Sequence, residues 1–256
     1  MTLLDVADVS VRFGGITALD RASFSIGQGE ICGLIGPNGA GKTTLFNVIS
    51  RIYDPTSGSI TFDGKDILST RPHRISDLGI FRTFQNLALW PGMTVLENVM
   101  VGAHSGTKAN FVTAPLRLGT QREEREVAVR SFELLQRLGL ADIAFHPAAG
   151  LPFGTLKRVE IARALAGIPK LFMLDEPAGG LNHAELDDLA QLIRRLRDEF
   201  ALTVLLVEHH MAMVMGISDK VVVLDFGRKI AEGTPAQVAT DPTVIEAYLG
   251  EGDGAS

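Results

Sequence analysis

The chain has 256 residues, 46% of them hydrophobic and 21% charged, with a formal net charge of −6. This is globular composition, long enough for one large domain or two small ones, and it excludes a mainly disordered chain. Cys32 is the only cysteine, which excludes an internal disulfide scaffold and a thiolate zinc site, and the acidic balance argues against a protein that coats nucleic acid.

From the start, Leu3, Leu4, Val6, Val9, Val11 and Phe13 alternate with polar residues, and Ala22–Ile26 continue the pattern. With turns at Gly14-Gly15 and Gly27–Gly29, this predicts antiparallel strands. Ile31–Ile35 reads as a short buried strand that runs into the glycine-rich stretch Gly36–Gly41. Lys42–Ile52 reads as a helix with Leu45, Val48 and Ile49 on one face, and Ser59–Phe62 as a further strand before Asp63-Gly64. From about Arg71 to Gly150 the texture is helical, clearest at Gln121–Leu138, where Ala128, Phe132, Leu135 and Leu138 line one face and Gly139 stands at the end. No acidic residue lies between Glu97 and Glu123, whereas Lys108, Arg117 and Arg122 are basic, the mark of an insert or contact segment. Helix then alternates with strand: Leu156–Ala166, Leu171–Leu174, Ala184–Phe200, Thr203–Val207, Met211–Ile217 and Lys220–Asp225. That order predicts a mainly parallel sheet covered by helices on both faces. Glu251–Ser256 reads as a frayed tail. No stretch approaches the ~18 apolar residues of a membrane span. Met1–Ser10 carries Asp5 and Asp8 rather than a basic leader, so the expectation is a soluble, cytoplasmic chain, peripheral if it serves a membrane.

Gly36-Pro37-Asn38-Gly39-Ala40-Gly41-Lys42-Thr43 fits the pattern G-x-x-x-x-G-K-[ST]. Glycines let successive backbone N–H groups turn inward around a polyphosphate. Lys42 adds a point charge toward the β- and γ-phosphates, Thr43 offers a hydroxyl to Mg²⁺, and the following helix aims its positive end at the anion. The apolar strand before and the helix after set this stretch apart from a chance match in a glycine-rich chain. Leu171–Leu174 ends in Asp175-Glu176, two carboxylates where a parallel strand opens onto a crevice. Alone these would read as a helix cap or solvated turn. With the phosphate loop upstream, Asp175 is expected to hold Mg²⁺ and Glu176 to polarise an attacking water.

At these residues the chain resembles the nucleotide-binding subunit of an ABC transporter, from about Leu3 to Gly250. The resemblance implies an α/β P-loop NTPase of ABC type, a single domain over 1–256. It has a mixed core sheet with helices, an N-terminal antiparallel β subdomain and an inserted helical subdomain. The core would span about 1–85 and 165–250, and the helical part with the signature loop about 86–164. In such a family, ATP with Mg²⁺ is sandwiched between two subunits arranged head to tail. The resemblance places Gly36, Pro37, Asn38, Gly39, Ala40, Gly41, Lys42, Thr43 and Thr44 on the phosphates, and Thr43, Gln85 and Asp175 at the metal. Glu176, His209, Lys42 and Gln85 carry the chemistry. Phe13 would stack on adenine, or else be a buried strand phenylalanine. Ala178–Asn182 matches the loop that crosses the dimer interface. Leu151-Pro152-Phe153-Gly154-Thr155 sits at the signature position, where the common pattern is LSGGQ. Pro152 removes a hydroxyl and a donor, so a γ-phosphate there would rely on the Gly154 and Thr155 N–H groups. The change reads as a subfamily mark or, alternatively, as a degenerate site. His210 follows His209 where relatives more often carry aspartate.

Arg12–Gly15, Phe81–Asn86, Met93–Val99 and Ala247–Glu251 are similar to the branched-chain amino acid uptake subfamily. Urea and amide importers are close neighbours, and the Tyr-Leu-Gly-Glu ending also occurs in the lipopolysaccharide-export ATPase. The partners so implied are a second ATPase subunit, identical or a sister, two integral-membrane permease subunits at the cytoplasmic face of the inner membrane, and indirectly a substrate-binding protein. The acid-free insert would contact the permeases or anionic headgroups, or be a surface loop. ABC ATPases that act on DNA or ribosomes carry a long coiled-coil insertion or two tandem cassettes, and the chain has neither, so no nucleic-acid partner is expected.

Overall fold

Apolar residues on both sides of a strand demand cover on both faces, and four strands here meet that demand. The structure, a computed structural model, describes residues 1–83, 88–104 and 120–249. Its first sheet is antiparallel, in the order β2 (Ile16–Gly27), β1 (Thr2–Phe13), β4 (Ser57–Phe62), β5 (Lys65–Asp66). The second is mixed. Its parallel part runs β9 (Lys220–Asp225), β3 (Ile31–Ile35), β8 (Thr203–Val207), β7 (Leu171–Asp175), β6 (Ile80–Arg82), and β10 (Arg228–Gly233) adds an antiparallel edge on β9.

The two-residue period of the strands divides the core in two. Cys32, Leu34, Met173, Leu205, Val207, Val222 and Leu224 face the antiparallel sheet and helix α1 (Lys42–Ile49). Their neighbours Ile31, Ile35, Phe172, Leu174, Val204, Leu206, Val221 and Val223 face the opposite way. There they meet α4 (Phe153–Leu165), α5 (His183–Phe200) and α6 (Met211–Ile217). On that side α2 (Val95–His104), α3 (Thr120–Arg137) and α4 pack on one another. Helices α7 (Pro235–Ala239) and α8 (Pro242–Leu249) close the chain. The expected antiparallel β part and mixed, helix-covered sheet are both present.

Local chemistry sets the helix ends. α1 stops at Ile49, short of the expected Ile52, because Arg51 turns left-handed at φ +62°. Its buried guanidinium then reaches the carbonyls of Leu68 and Thr70 and the Asp54 carboxylate. α4 starts at Phe153, three residues before the expected Leu156, with Pro152 at its cap, where a missing N–H costs no helical bond. α5 begins on a reciprocal cap between Asn182 and Glu185. α3 presents Val127, Ser131, Leu134 and Leu135 to the interior and Leu138 follows just past its end, so Leu135 and Leu138 of the expected face are buried while Ala128 and Phe132 lie at its margin. No helix among the described residues is long and apolar enough to cross a membrane.

Cys32 lies wholly buried in β3, and burial pushes its thiol well above the ordinary range. A thiol so held has almost no thiolate to react. The folded chain should therefore resist thiol-reactive dyes, with one equivalent reacting after unfolding in denaturant. Labelling of the native protein at the rate of an exposed cysteine would contradict this burial.

Candidate functional site

The carboxyl ends of neighbouring parallel strands are where an α/β sheet opens a crevice for ligands. β3, β8 and β7 are neighbours, and each leads into one sequence-predicted group. β3 leads into Gly36–Thr43, β7 ends at Asp175 with Glu176 next, and β8 leads through Glu208 to His209.

The Gly36–Gly41 loop has a shape only glycine tolerates at its ends. Gly36 takes φ +148°, and a Cβ there would lie 2.0 Å from the Leu224 carbonyl oxygen. Gly41 takes φ +98°, and its Cβ would lie 2.6 Å from the Ala18 carbonyl oxygen. Gly39, at φ +78°, has open space instead. Lys42 folds back over the loop, its Nζ donating to the carbonyls of Gly36 at 2.5 Å and Pro37 at 2.7 Å. The ammonium is thus held on the loop itself, where polyphosphate charge would be met, and Thr43 and Thr44 follow in the first turn of α1.

Asp175 is buried at the end of β7, paired with Arg82 at the end of β6. The Arg82 guanidinium donates to Asp175 Oδ2 at 2.5 Å and to Asn47 Oδ1 at 2.7 Å, and lies 5.4 Å from the centre of the Phe46 ring. Sequence reasoning missed Arg82; its only signal is a charge closing the apolar pair Ile80-Phe81. The donor chemistry fits a hard cation, since Asp175 and Thr43 offer oxygen alone. Glu176 sits in the left-handed region at φ +45°, an unfavourable conformation for a glutamate and of the kind stored at functional sites. Its N–H is tied to the Val207 carbonyl across the sheet at 2.9 Å.

Glu208, also missed, joins two of the predicted loops. Its Oε1 accepts the Ala178 N–H at 2.7 Å, and its Oε2 accepts the His209 N–H at 3.1 Å. One buried carboxylate thereby ties the segment after Glu176 to the segment carrying His209, whose side chain stays 60% exposed. Phe13 is half exposed at the end of β1, edge-on to Tyr53 with centroids 5.2 Å apart. The alternative of a buried strand phenylalanine is therefore set aside, because the ring faces outward beside a second aromatic. Gly154 and Thr155 lie in the first turn of α4 and share a separate small pocket with Leu181, Glu185 and Asp188. Gln85, most of the acid-free insert with Lys108 and Arg117, and Gly250–Ser256 lie outside the described residues.

Against known proteins, residues 19–179 match the family model described as ABC transporter. Residues 228–254 match that described as branched-chain amino acid ATP-binding cassette transporter. The chain is 42% identical over 250 residues to the high-affinity branched-chain amino acid transport ATP-binding protein BraF of Pseudomonas aeruginosa, covering 97% of this chain and 98% of that protein. A solved ATP-binding cassette of an ABC transporter in its ADP conformation superposes with a TM-score of 0.85 at 33% identity, covering 98% of this chain and 99% of the other. A second cassette, solved as a dimer in a post-hydrolysis state with ADP and Pi, gives 0.73 at 26% identity, covering 91% and 99%. The chain belongs to the ABC transporter family, in its branched-chain amino acid ATP-binding branch.

Proposed function

We propose that this chain is the ATP-hydrolysing subunit of an importer of branched-chain amino acids. One observation carries the reading: the phosphate loop, the Asp175-Glu176 pair and the His209 loop leave the same edge of one sheet, from the neighbouring strands β3, β7 and β8. The substrate is inferred from the printed function of BraF and from the match at residues 228–254.

In this reading, the backbone N–H groups of Gly36–Gly41 with Lys42, Thr43 and Thr44 bind the ATP phosphates, and Phe13 stacks on adenine. Asp175, Thr43 and Gln85 would hold Mg²⁺, which would supply counter-charge to the phosphate oxygens. Glu176 takes a proton from the attacking water, and His209 steadies that water and the γ-phosphate. Most of the acceleration is positioning and charge stabilisation. The first turn of α4, at Gly154 and Thr155, serves the ATP held by an opposing ATPase subunit, identical or a sister. The domain is single, with residues of about 86–164 as its helical part. It sits peripherally on the cytoplasmic side of the membrane, against two permease subunits fed by a substrate-binding protein.

Lys42→Ala removes a charge-assisted contact to phosphate, worth about 1.5–3 kcal/mol. Fluorescent ATP should bind about 10–100-fold more weakly. Unchanged affinity would remove the phosphate loop from the site. The substrate class is tested by reconstituting the chain with its permeases in vesicles and supplying labelled leucine and labelled urea in parallel. ATP-dependent leucine uptake is expected; uptake of urea alone would reassign the cargo, and recovery with ribosomes or DNA instead of membrane subunits would overturn transport.

A further inference from the structure

Two histidines stand side by side after β8 with a carboxylate against them. Glu208 is almost fully buried, and its Oε2 lies 3.7 Å from His209 Nδ1. The imidazoles of His209 and His210 have centroids 4.4 Å apart and are tilted by 37°. One donor atom from each of Glu208, His209 and His210 lies within 4.8 Å of the other two. A third imidazole, His183 at the start of α5, lines the same cleft of about 560 Å³, together with Asp187.

We propose that Glu208, His209 and His210 form a binding site for a borderline transition metal such as Zn²⁺ or Co²⁺, and that its occupation arrests ATP turnover by capturing His209. The donor set selects the metal. Two imidazoles and one carboxylate suit Zn²⁺, Co²⁺ or Ni²⁺, whereas Mg²⁺ prefers oxygen ligands in an octahedron. Bonds of about 2.0–2.2 Å require donors closer than they now stand, and rotation of the two histidine side chains supplies that movement. Glu208 Oε2 accepts the His209 N–H at 3.1 Å and meets the His210 N–H only at the limiting 3.5 Å, so the second lone pair of a carboxylate oxygen stays available to a metal. His210 is the residue that makes the site. An aspartate there would leave one imidazole and two carboxylates, a set less selective for these metals.

The inhibitory consequence rests on the role proposed for His209. An imidazole ligated beside Glu208 has lost a nitrogen and its rotational freedom, so it no longer serves the γ-phosphate. The metal acts on hydrolysis rather than on the phosphate loop, so ATP binding survives.

The test has two arms. First, the nucleotide-free protein is titrated with Co²⁺ in excess Mg²⁺, and visible absorption is followed. One equivalent should bind with the intense bands of four-coordinate Co²⁺, displaced by Zn²⁺, and His210→Ala and the larger His210→Gln should each weaken binding by at least about tenfold. Second, ATPase activity at fixed Mg²⁺ is measured against free Zn²⁺. The parent should be inhibited, while His210→Gln, with the parent's metal-free rate, should need at least about ten times more Zn²⁺. Absence of stoichiometric Co²⁺ binding, or equal binding by both variants, overturns the site and leaves the ATPase reading standing. Stoichiometric binding without inhibition of an active enzyme overturns the capture of His209. A parent with no ATPase activity in the absence of Zn²⁺ overturns the ATPase reading and, with it, the inhibitory role, whereas the binding arm decides the site by itself.

Discussion

Replacing Glu176 by glutamine is expected to lower ATP turnover by roughly 10²–10⁴-fold, the range a positioned general base contributes, while ATP affinity stays close to that of the parent. Glutamine keeps the size of the side chain and loses only the capacity to take a proton. The backbone places this group with care: β7 ends at Asp175, Glu176 turns left-handed, and its N–H is anchored to Val207 on the adjacent strand. A base that binds no phosphate contributes little to the ground state, so the loss falls on the chemical step. With ATP bound but not consumed, the variant should also accumulate as a closed pair of subunits, visible by light scattering after gel filtration in MgATP. Hydrolysis at the parental rate would remove Glu176 from the chemistry.

Arg82→Met is expected to cost about 3–5 kcal/mol, because it leaves the Asp175 carboxylate buried without its partner. Arg82 and Asp175 are only 9% and 6% exposed at their side chains, so solvent screens the pair little. Methionine retains much of the arginine stem and its packing on Phe46, which isolates the charge from the volume. For a chain of this size the loss corresponds to a fall of about 6–20 °C in the unfolding temperature, read by calorimetry. MgATP should recover part of it in the variant, since a cation brought to Asp175 replaces the missing counter-charge. An unfolding temperature equal to the parent's would show that the ion pair contributes nothing.

The parts of the fold legible in the sequence are those where burial and period agree. β3, β7, β8 and β9 are apolar on both faces because helices and a second sheet cover them, and each reads as an unbroken apolar run. The stretch Met93–Val99 was legible as a subfamily likeness, and the structure shows what its polar residues do. Thr94 and Glu97 cap α2 reciprocally, and buried Asn98 ties the Trp90 and Thr94 carbonyls together. Other parts were illegible for equally physical reasons. β6 is three residues long, too short for any period, and β10 is a polar edge strand. The first turn of α4 was hidden because Pro152 and Gly154 read as turn residues, whereas Pro152 stands at the helix cap, where its missing N–H costs no helical bond.

The candidate site divides along the same line. Gly36–Thr43 and Asp175-Glu176 announce themselves because phosphate chemistry fixes residue types at fixed spacing. Arg82 and Glu208 do not, since each is a single charge at a strand end and gains meaning only from what the fold sets beside it: Asp175 for one, the Ala178 and His209 amides for the other.

In the proposed mechanism each ATP is enclosed by two subunits, with the phosphate loop of one facing the Gly154 turn of the other. A cryo-EM structure of the Glu176→Gln protein assembled with its partners in MgATP tests it directly. The predicted result is nucleotide between Gly36–Thr43 of this chain and the signature turn of the opposing ATPase. Nucleotide bound and turned over by one subunit, with that turn remote from every phosphate, would contradict it.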